Sequence, residues 1–496
     1  MEYKQRQIVE TDFNRIFHPE KIAIIGVSSK GAGFGSGIFY SLRAIGYDGE
    51  IFLVNPRGGE LLGNKIYKGV DEIPGTIDFA IIAVAARMVP EVLKACLEKG
   101  AAGAEILSSG FKELGEKEGV DLENEIKKIA ARGIRVIGPN CFGIYCPKSG
   151  LTLLPGPDLS RESGPVAFLS QSGGMAVDFA NTGKSMGIGF SKVVSFGNGA
   201  DLRETELLDY LSGDPETRLI SMYIEGIEDG QTFFNTLKHT ASKKPVIIIK
   251  GGLSDAGARA VASHTASLGG SDRIWSAVIR QAGAVQVMDV NEMAAAALAF
   301  SLLPEKSFKT ISVSGGGGAL GVAAADAAAD FGIHIPPFDN KLEEQIDQIL
   351  PRPGSSAKNP IDVANPFVPP EDLKKILLLA ATDERVELQI FISLLHHYTN
   401  IAIATGKPLK EVAPWRELAD SFETAMHTTG KPVVVVFANP KRGIHHMDVV
   451  EVIALARAEF IRRGIPVFDD LRECLRAISK VNEYYERRLW RQQHEL

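Results

Sequence analysis

Residues 22–37 read IAIIGVSSKGAGFGSG: a short apolar run, Gly26, and then a stretch with glycine at 31, 33, 35 and 37. The apolar run is continuous rather than alternating, as in a strand buried on both faces. The strand is expected to end at Gly26 and a helix to start near Gly35. Strand, glycine turn and helix form the opening unit of a parallel α/β sheet. In such a unit the turn lies at the helix N-terminus, whose N–H groups have no partner within the helix.

Working outward, the same kind of run recurs along the chain. EIFLVNP (50–56), FAIIAVAA (79–86), AEILSSG (104–110) and IRVIGPN (134–140) complete a first set. PVAFLSQ (165–171), SKVVSFGN (191–198), LISMYIEG (219–226), PVIIIKGG (245–252) and AVQVMDV (284–290) make a second. KTISVSG (309–315), LQIFISLL (388–395), PVVVVFAN (432–439) and IPVFDD (465–470) make a third. Most runs start roughly 25–40 residues apart, which leaves room for a crossover helix. The expected fold is α/β with parallel sheets, repeated three times. The expected domains are residues 1–150, 160–302 and 308–480, followed by a charged helix at 481–496. Turn residues cluster at 146–165 and 302–309, read as linkers. The Pro-rich stretch 350–372 reads as a long loop inside the third domain. The second and third domains open alike, with FLSQSGGMAVDFA and SVSGGGGALGVAAAD, a weak internal repeat.

The bulk numbers exclude several classes. The 496 residues carry a formal net charge of −7, so no basic surface argues for nucleic acid or an anionic membrane. No apolar run of about 20 residues predicts a membrane span. The polar N-terminus, MEYKQRQIVETDFNRIF, is not a signal peptide. The 4 cysteines (Cys96, Cys141, Cys146 and Cys474) include no CxxC and read as reduced thiols of a cytoplasmic protein.

The first glycine turn does not follow the dinucleotide fingerprint. Its glycines are Gly26, Gly31 and Gly33, and the second strand ends in VNPRG, with Asn55 and Pro56 where a ribose-binding acid would stand. NAD is therefore disfavoured, whereas a phosphate-bearing ligand at Gly26–Gly37 is expected; a tight turn without ligand is the alternative. In LSQSGGMAVD (169–178), Ser170, Ser172, Gly173 and Gly174 form either an anion nest or an ordinary helix cap.

One histidine stands out. AGARAVASHTASLGG (256–270) places His264 between Ser263 and Thr265 on a small-residue loop flanked by Gly251, Gly252, Gly269 and Gly270. The loop follows a strand, and open α/β sheets place their sites at the C-terminal ends of strands. Glu225, at the end of another strand in the same set, is a candidate to orient the imidazole; otherwise it is a carboxylate facing water. The pairs His396–His397 and His445–His446 lack metal-site spacing and read as structural.

With these motifs in order, the chain resembles the NDP-forming acyl-CoA synthetases, relatives of the succinyl-CoA synthetase α subunit. More narrowly, it is similar to α subunits of ADP-forming acetate–CoA ligases. The resemblance runs through GVSSKGAGFGSG, VNPRG, SSGFKE, GPNCFGI, LSQSGGM, FGNGADL, YIEGI, GARAVASHTASLGG, SGGGGALGVAAAD and KNPIDV. It implies a Rossmann-like coenzyme A-binding domain followed by two flavodoxin-like, doubly wound domains. Coenzyme A is implied at Gly26, Ser28, Lys30, Gly33, Asn55, Pro56, Val84 and Ala85, with Asn140 and Cys141 closing the crevice. His264 would carry a phosphoryl group and Glu225 would orient it. Ser170, Gln171, Ser172, Gly173 and Gly174 would hold phosphate. Acyl-CoA, CoA and phosphate would be the ligands. ADP or ATP with Mg²⁺ is expected on a separate ATP-grasp β subunit, in an α2β2 assembly. The loop reads SHTASLGG where relatives often have SHTGALAG, so Ala266 and Ser267 depart from the pattern. The alternatives are a non-catalytic CoA or acyl-CoA sensor, an NAD-dependent dehydrogenase, and a CoA-transferase or a ligase of another carboxylate.

Overall fold

The computed structural model describes residues 11–154, 158–254, 256–257, 259, 272–441 and 443–494. They form two compact units, Met1–Met293 and Ala294–Leu496.

The first unit holds two sheets. Strands β1 (Lys21–Ile25), β2 (Glu50–Val54), β3 (Gly59–Leu61), β4 (Asn64–Tyr67), β5 (Phe79–Ile82), β6 (Gly103–Ile106) and β7 (Arg135–Ile137) build the first. Its order is β3-β4-β2-β1-β5-β6-β7, parallel except for the β3–β4 pair. Strands β8 (Gly143–Tyr145), β9 (Ser163–Ser170), β10 (Phe190–Ser195), β11 (Leu219–Ile224), β12 (Val246–Lys250) and β13 (Val285–Gln286) build the second, in the order β13-β12-β11-β9-β10-β8. Strands β5 and β10 are buried along their whole length, as strands covered on both faces require. Ile22 and Ile24 of the first sheet and Phe39 of the helix Phe34–Ile45 share one core with Ala167, Leu169 and Met222 of the second sheet.

Both sheets reverse direction once. From β1 the chain winds out to β2, then crosses back to β5 on the other side of β1. From β9 it winds to β10, then crosses to β11. The C-terminal ends of β1/β5 and of β9/β11 are therefore the two places where a doubly wound sheet leaves a crevice.

The second unit carries β14 (Ile311–Gly315), β15 (Leu388–Ser393), β16 (Val433–Phe437) and β17 (Val467–Phe468), parallel and in sequence order. The outer edge of β14 is covered by the chain between β14 and β15, through bridges Thr310–His334 and Ser314–Ile361. Asn359 extends this cover: its Oδ1 accepts the Val313 N–H at 3.0 Å and its Nδ2 donates to Ile311 O at 3.2 Å. The Pro-rich stretch thus protects an edge strand that would otherwise expose unpaired backbone groups. Among the described residues no helix is long and apolar enough to cross a membrane.

Two features escape the run-counting. The β3–β4 hairpin is short and polar, turned by Leu62 (φ 49°) and Gly63 (φ 76°). The three-residue strand β8 pairs antiparallel with β10, so the chain edges the second sheet directly after leaving the first. Glu105 of β6, fully buried, accepts the Ile144 N–H of β8 at 3.0 Å. Burial lifts its carboxyl to about 8 from an ordinary 4.5, and the Ile144 bond offsets only part of that rise. The unfolded chain gives up this proton above 4.5 while the folded chain keeps it to about 8. Stability should fall with rising pH across that window. Glu105→Gln is expected to flatten the decline, read as the urea midpoint against pH; parallel curves for the two proteins would refute it.

Candidate functional site

The first crevice opens beyond β1 and β5. Gly26 has φ 105°, and a Cβ there would collide with the Ala83 carbonyl oxygen. A Cβ on Gly35 would stand 2.6 Å from Gly26 O. Only glycine at both positions lets the helix Phe34–Ile45 start this close to the strand. Gly33 is its N-cap; no side chain caps the helix, and a Cβ at Gly33 would meet nothing within 4 Å. The turn therefore offers space and N–H donors together, which suits a diphosphate.

The other residues singled out near this turn sit as follows. Ser28 donates its N–H to Ser36 Oγ at 3.1 Å and accepts the Lys30 N–H at 3.2 Å, and Lys30 itself is exposed. Asn55 folds its Oδ1 onto the Arg57 N–H at 3.0 Å, shaping the turn that Pro56 enters. Val84 is half-buried, with its carbonyl accepting the Ser108 hydroxyl, and Ala85 is exposed. Asn140, at φ 57°, donates its N–H to Ser108 O at 2.9 Å. Cys141 is buried with its thiol on Ile106 O at 3.3 Å, and burial pushes the thiol up. Cys141 thus lies under the crevice, with its sulfur turned into the core.

Two residues that sequence reasoning passed over tie the crevice to the second sheet. Asn198, in the FGNG turn after β10, donates Nδ2 to Glu113 Oε2 at 2.6 Å and to Glu123 Oε2 at 3.0 Å. Glu113 Oε1 in turn accepts the N–H groups of Gly110 and Phe111 at 2.6 and 3.1 Å. The signal was the co-occurrence of SSGFKE and FGNGADL: a carboxylate and an amide, each in a glycine turn.

The second crevice opens beyond β9 and β11. Ser170 is fully buried; its hydroxyl donates to Ser172 O at 2.7 Å and accepts the Ser172 N–H at 3.1 Å. Ser172 caps the helix Gly173–Met186 through the Met175 N–H at 3.4 Å. A Cβ on Gly173 would press 2.8 Å from the Phe142 ring, one residue past Cys141, whereas Gly174 faces open space but for Ser172 Oγ. The Gln171 amide is spent on backbone. Its Oε1 accepts the N–H groups of Glu225 and of Gly226 (2.9 Å), and its Nε2 donates to Gly226 O at 2.9 Å.

That clamp fixes Glu225, which is 7% exposed. Tyr223 donates its hydroxyl to Glu225 Oε1 at 3.1 Å, and Oε2 is buried with no hydrogen-bond partner among the described residues. Lys250, at the end of β12, donates Nζ to the Glu225 carbonyl at 2.8 Å and to Gly251 O. Its ammonium lies 5.1 Å from the centre of the Trp275 ring. Burial pulls that ammonium's pKa down, and the Glu225 carboxylate offsets only part. His264 lies outside the described residues.

In the second unit, Gly315 (φ 98°) turns β14 into the helix Gly318–Asp330, which has Gly317 as an uncapped N-cap. His396 and His397 lie not on a strand but on the 3₁₀ turn Leu395–Tyr398, with ring centres 4.4 Å apart. Burial, then the neighbouring His397, brings His396 down to about 4. Among the described residues no three or more His, Cys, Asp or Glu side chains converge as a metal site.

Comparison with known proteins agrees with this geometry. Residues 20–147 match the family described as CoA binding domain, and residues 163–300 match the succinyl-CoA ligase like flavodoxin domain. The chain is 35% identical over 486 residues to the acetate–CoA ligase [ADP-forming] I subunit alpha of Pyrococcus furiosus, covering 97% of this chain and 98% of that one. It is 34% identical to the acetate–CoA ligase [ADP-forming] I of Archaeoglobus fulgidus, of which it spans 63%. The dinucleotide-forming acetyl-coenzyme A synthetase 1 of Ca. Korarchaeum cryptofilum, solved with phosphate and ADP, superposes with a TM-score of 0.82 at 30% identity, covering 97% of this chain and 99% of that one. The chain belongs to the family of ADP-forming acetate–CoA ligase α subunits.

Proposed function

We propose that the chain interconverts acyl-CoA, ADP and phosphate with a carboxylic acid, CoA and ATP, in complex with a β subunit. Inorganic phosphate attacks the thioester carbonyl; the C–S bond breaks, CoA leaves as the thiol, and an acyl phosphate remains. An imidazole nitrogen of His264 attacks phosphorus; the P–O bond to the acyl group breaks and the carboxylate leaves. ADP then takes the phosphoryl group as the P–N bond breaks, giving ATP and free His264. Each step runs in reverse.

The observation that carries the reading is Glu225. It is a buried carboxylate at a topological switch point, held by its neighbours, and its Oε2 has no hydrogen-bond partner among the described residues. A carboxylate in that state suits an imidazole N–H, fixing the tautomer so that the other ring nitrogen is the nucleophile. The Gly173 helix N-terminus would stabilise the phosphoryl charge through N–H groups, with Ser170, Ser172 and Gly174 shaping the nest. Gln171 serves this site by holding the Glu225 turn. Coenzyme A would lie in the first crevice against Gly26, Ser28, Lys30, Gly33, Asn55, Pro56, Val84, Ala85 and Asn140, with Cys141 as its floor. ADP and Mg²⁺ belong, in this reading, to an ATP-grasp β subunit in an α2β2 complex. A cytoplasmic setting suits the four buried free thiols.

The test is the intact mass of the chain in that complex after adding acetyl-CoA and phosphate. A gain of one acid-labile phosphoryl group is expected. An unmodified chain that still binds CoA would overturn the reading in favour of a CoA sensor.

A further inference from the structure

Glu225 is reached from several directions, and each contact does a different job. Gln171 and Lys250 hold its backbone: the amide bonds both the Glu225 and Gly226 N–H groups, and the ammonium bonds the Glu225 carbonyl. Neither touches the carboxylate. Among the described residues, the side chain is set by Tyr223 alone, through the hydroxyl on Oε1 at 3.1 Å. An ionised carboxylate only accepts hydrogen bonds, so the phenol is the donor. Burial, then the charge of Glu225 and the bond to it, raises the Tyr223 hydroxyl, which keeps it protonated and donating.

Gly251 explains why the phenol fits. A Cβ at 251 would stand 2.6 Å from Tyr223 Oη and 3.1 Å from Cζ. Gly251 has no positive φ that demands glycine. What it supplies is room for the hydroxyl to reach Glu225.

We infer that Tyr223, seated under Gly251, is a positioning residue: it fixes the rotation of the Glu225 carboxylate so that Oε2, without a partner among the described residues, stays open as an acceptor. The inference rests on the reading of Glu225 as the carboxylate that orients His264. Without the phenol, the carboxylate can rotate and the two oxygens compete for one imidazole donor.

The experiment is steady-state kinetics of the complex with its β partner, using acetyl-CoA, phosphate and ADP, for Tyr223→Phe, Gly251→Ala and the double variant. Tyr223→Phe is expected to lower kcat about ten- to a hundredfold, the worth of one hydrogen bond to a charged group, with KM for acetyl-CoA within about twofold. Gly251→Ala displaces the same hydroxyl and should lower kcat comparably. The double variant should be no slower than the slower single one, because the phenylalanine no longer has an oxygen to be displaced. Additive losses, or an unchanged kcat in Tyr223→Phe, would overturn the inference. Should Tyr223→Phe fail to fold, Gly251→Ala read by the kcat-against-KM split decides alone. If phosphoryl incorporation persists in His264→Ala, the reading of the site itself fails; if incorporation depends on His264 but Tyr223→Phe turns over normally, only the role of Tyr223 fails.

Discussion

His264→Ala is expected to abolish phosphoryl incorporation and turnover while leaving CoA binding intact, and Glu225→Gln is expected to lower kcat by about a hundred- to ten-thousandfold. The second figure is the order of loss when a carboxylate that fixes a catalytic imidazole becomes an amide. Glutamine keeps the volume of Glu225, and the clamp by Gln171 and Lys250 acts on backbone, so the turn should survive. The amide can present an N–H where Oε2 now stands, which stabilises the wrong tautomer of the histidine. CoA affinity should change by less than twofold, because the crevice beyond β1 and β5 is built by Gly26, Gly33 and Gly35 and uses neither residue. The measurement pairs intact mass and kcat with calorimetric CoA binding. Equal loss of CoA binding in Glu225→Gln would show that the two crevices are not independent and would refute this assignment.

Lys192→Met is expected to lower the stability of the first unit by about 3–5 kcal/mol, the cost of leaving the buried Asp214 carboxylate without its cation. Lys192 is 1% exposed on β10 and bonds Asp214 at 2.8 Å and Glu216 at 2.9 Å. It also lies 5.7 Å from the Phe17 ring centre and 5.9 Å from that of Tyr210, joining the short helix Phe13–Phe17 to the second sheet. Methionine fills the volume and supplies no charge. The pH dependence has a definite sign. Burial raises the Glu216 carboxyl, but hydrogen bonds from Lys148 and Lys192 outweigh it and bring it down to about 2 from an ordinary 4.5. A lowered carboxyl stabilises the fold above its unfolded value, and the gain disappears as pH falls from 4.5 toward 2. The gap between wild type and Lys192→Met should therefore narrow over that interval. Urea midpoints at several pH values measure it; a gap independent of pH would mean that packing, not charge, holds this corner.

The sequence by itself determined the longer strands and the order of the motifs. β5 and β16 are apolar along their whole length, and β1 is apolar past Lys21, because they are covered on both faces, and a continuous run is legible without any partner. Gly26 and Gly33 were legible because a tight turn from a strand into a helix, here with φ 105° and 93°, tolerates little else. Glu225 was legible as a carboxylate ending a strand in the same set as His264.

Other features were decided only by the tertiary structure. The hairpin β3–β4 and the strand β8 are three or four residues long, too short for a periodicity to form, and they exist because a neighbouring strand offers them an edge. The Pro-rich stretch near Asn359 acquires its role only once β14 is seen to be an edge strand. Gln171 reads as an anion ligand in a linear motif, yet its amide faces the turn of β11, since β9 and β11 are neighbours in space and 54 residues apart in sequence at this contact. Tyr223 and Gly251 carry no signal of their own, as a tyrosine on a buried strand and a glycine after another are ordinary. Local preference and burial are written in a residue and its neighbours. Which donor reaches which acceptor depends on how separate strands lie beside one another, and that is fixed only when the sheet is assembled.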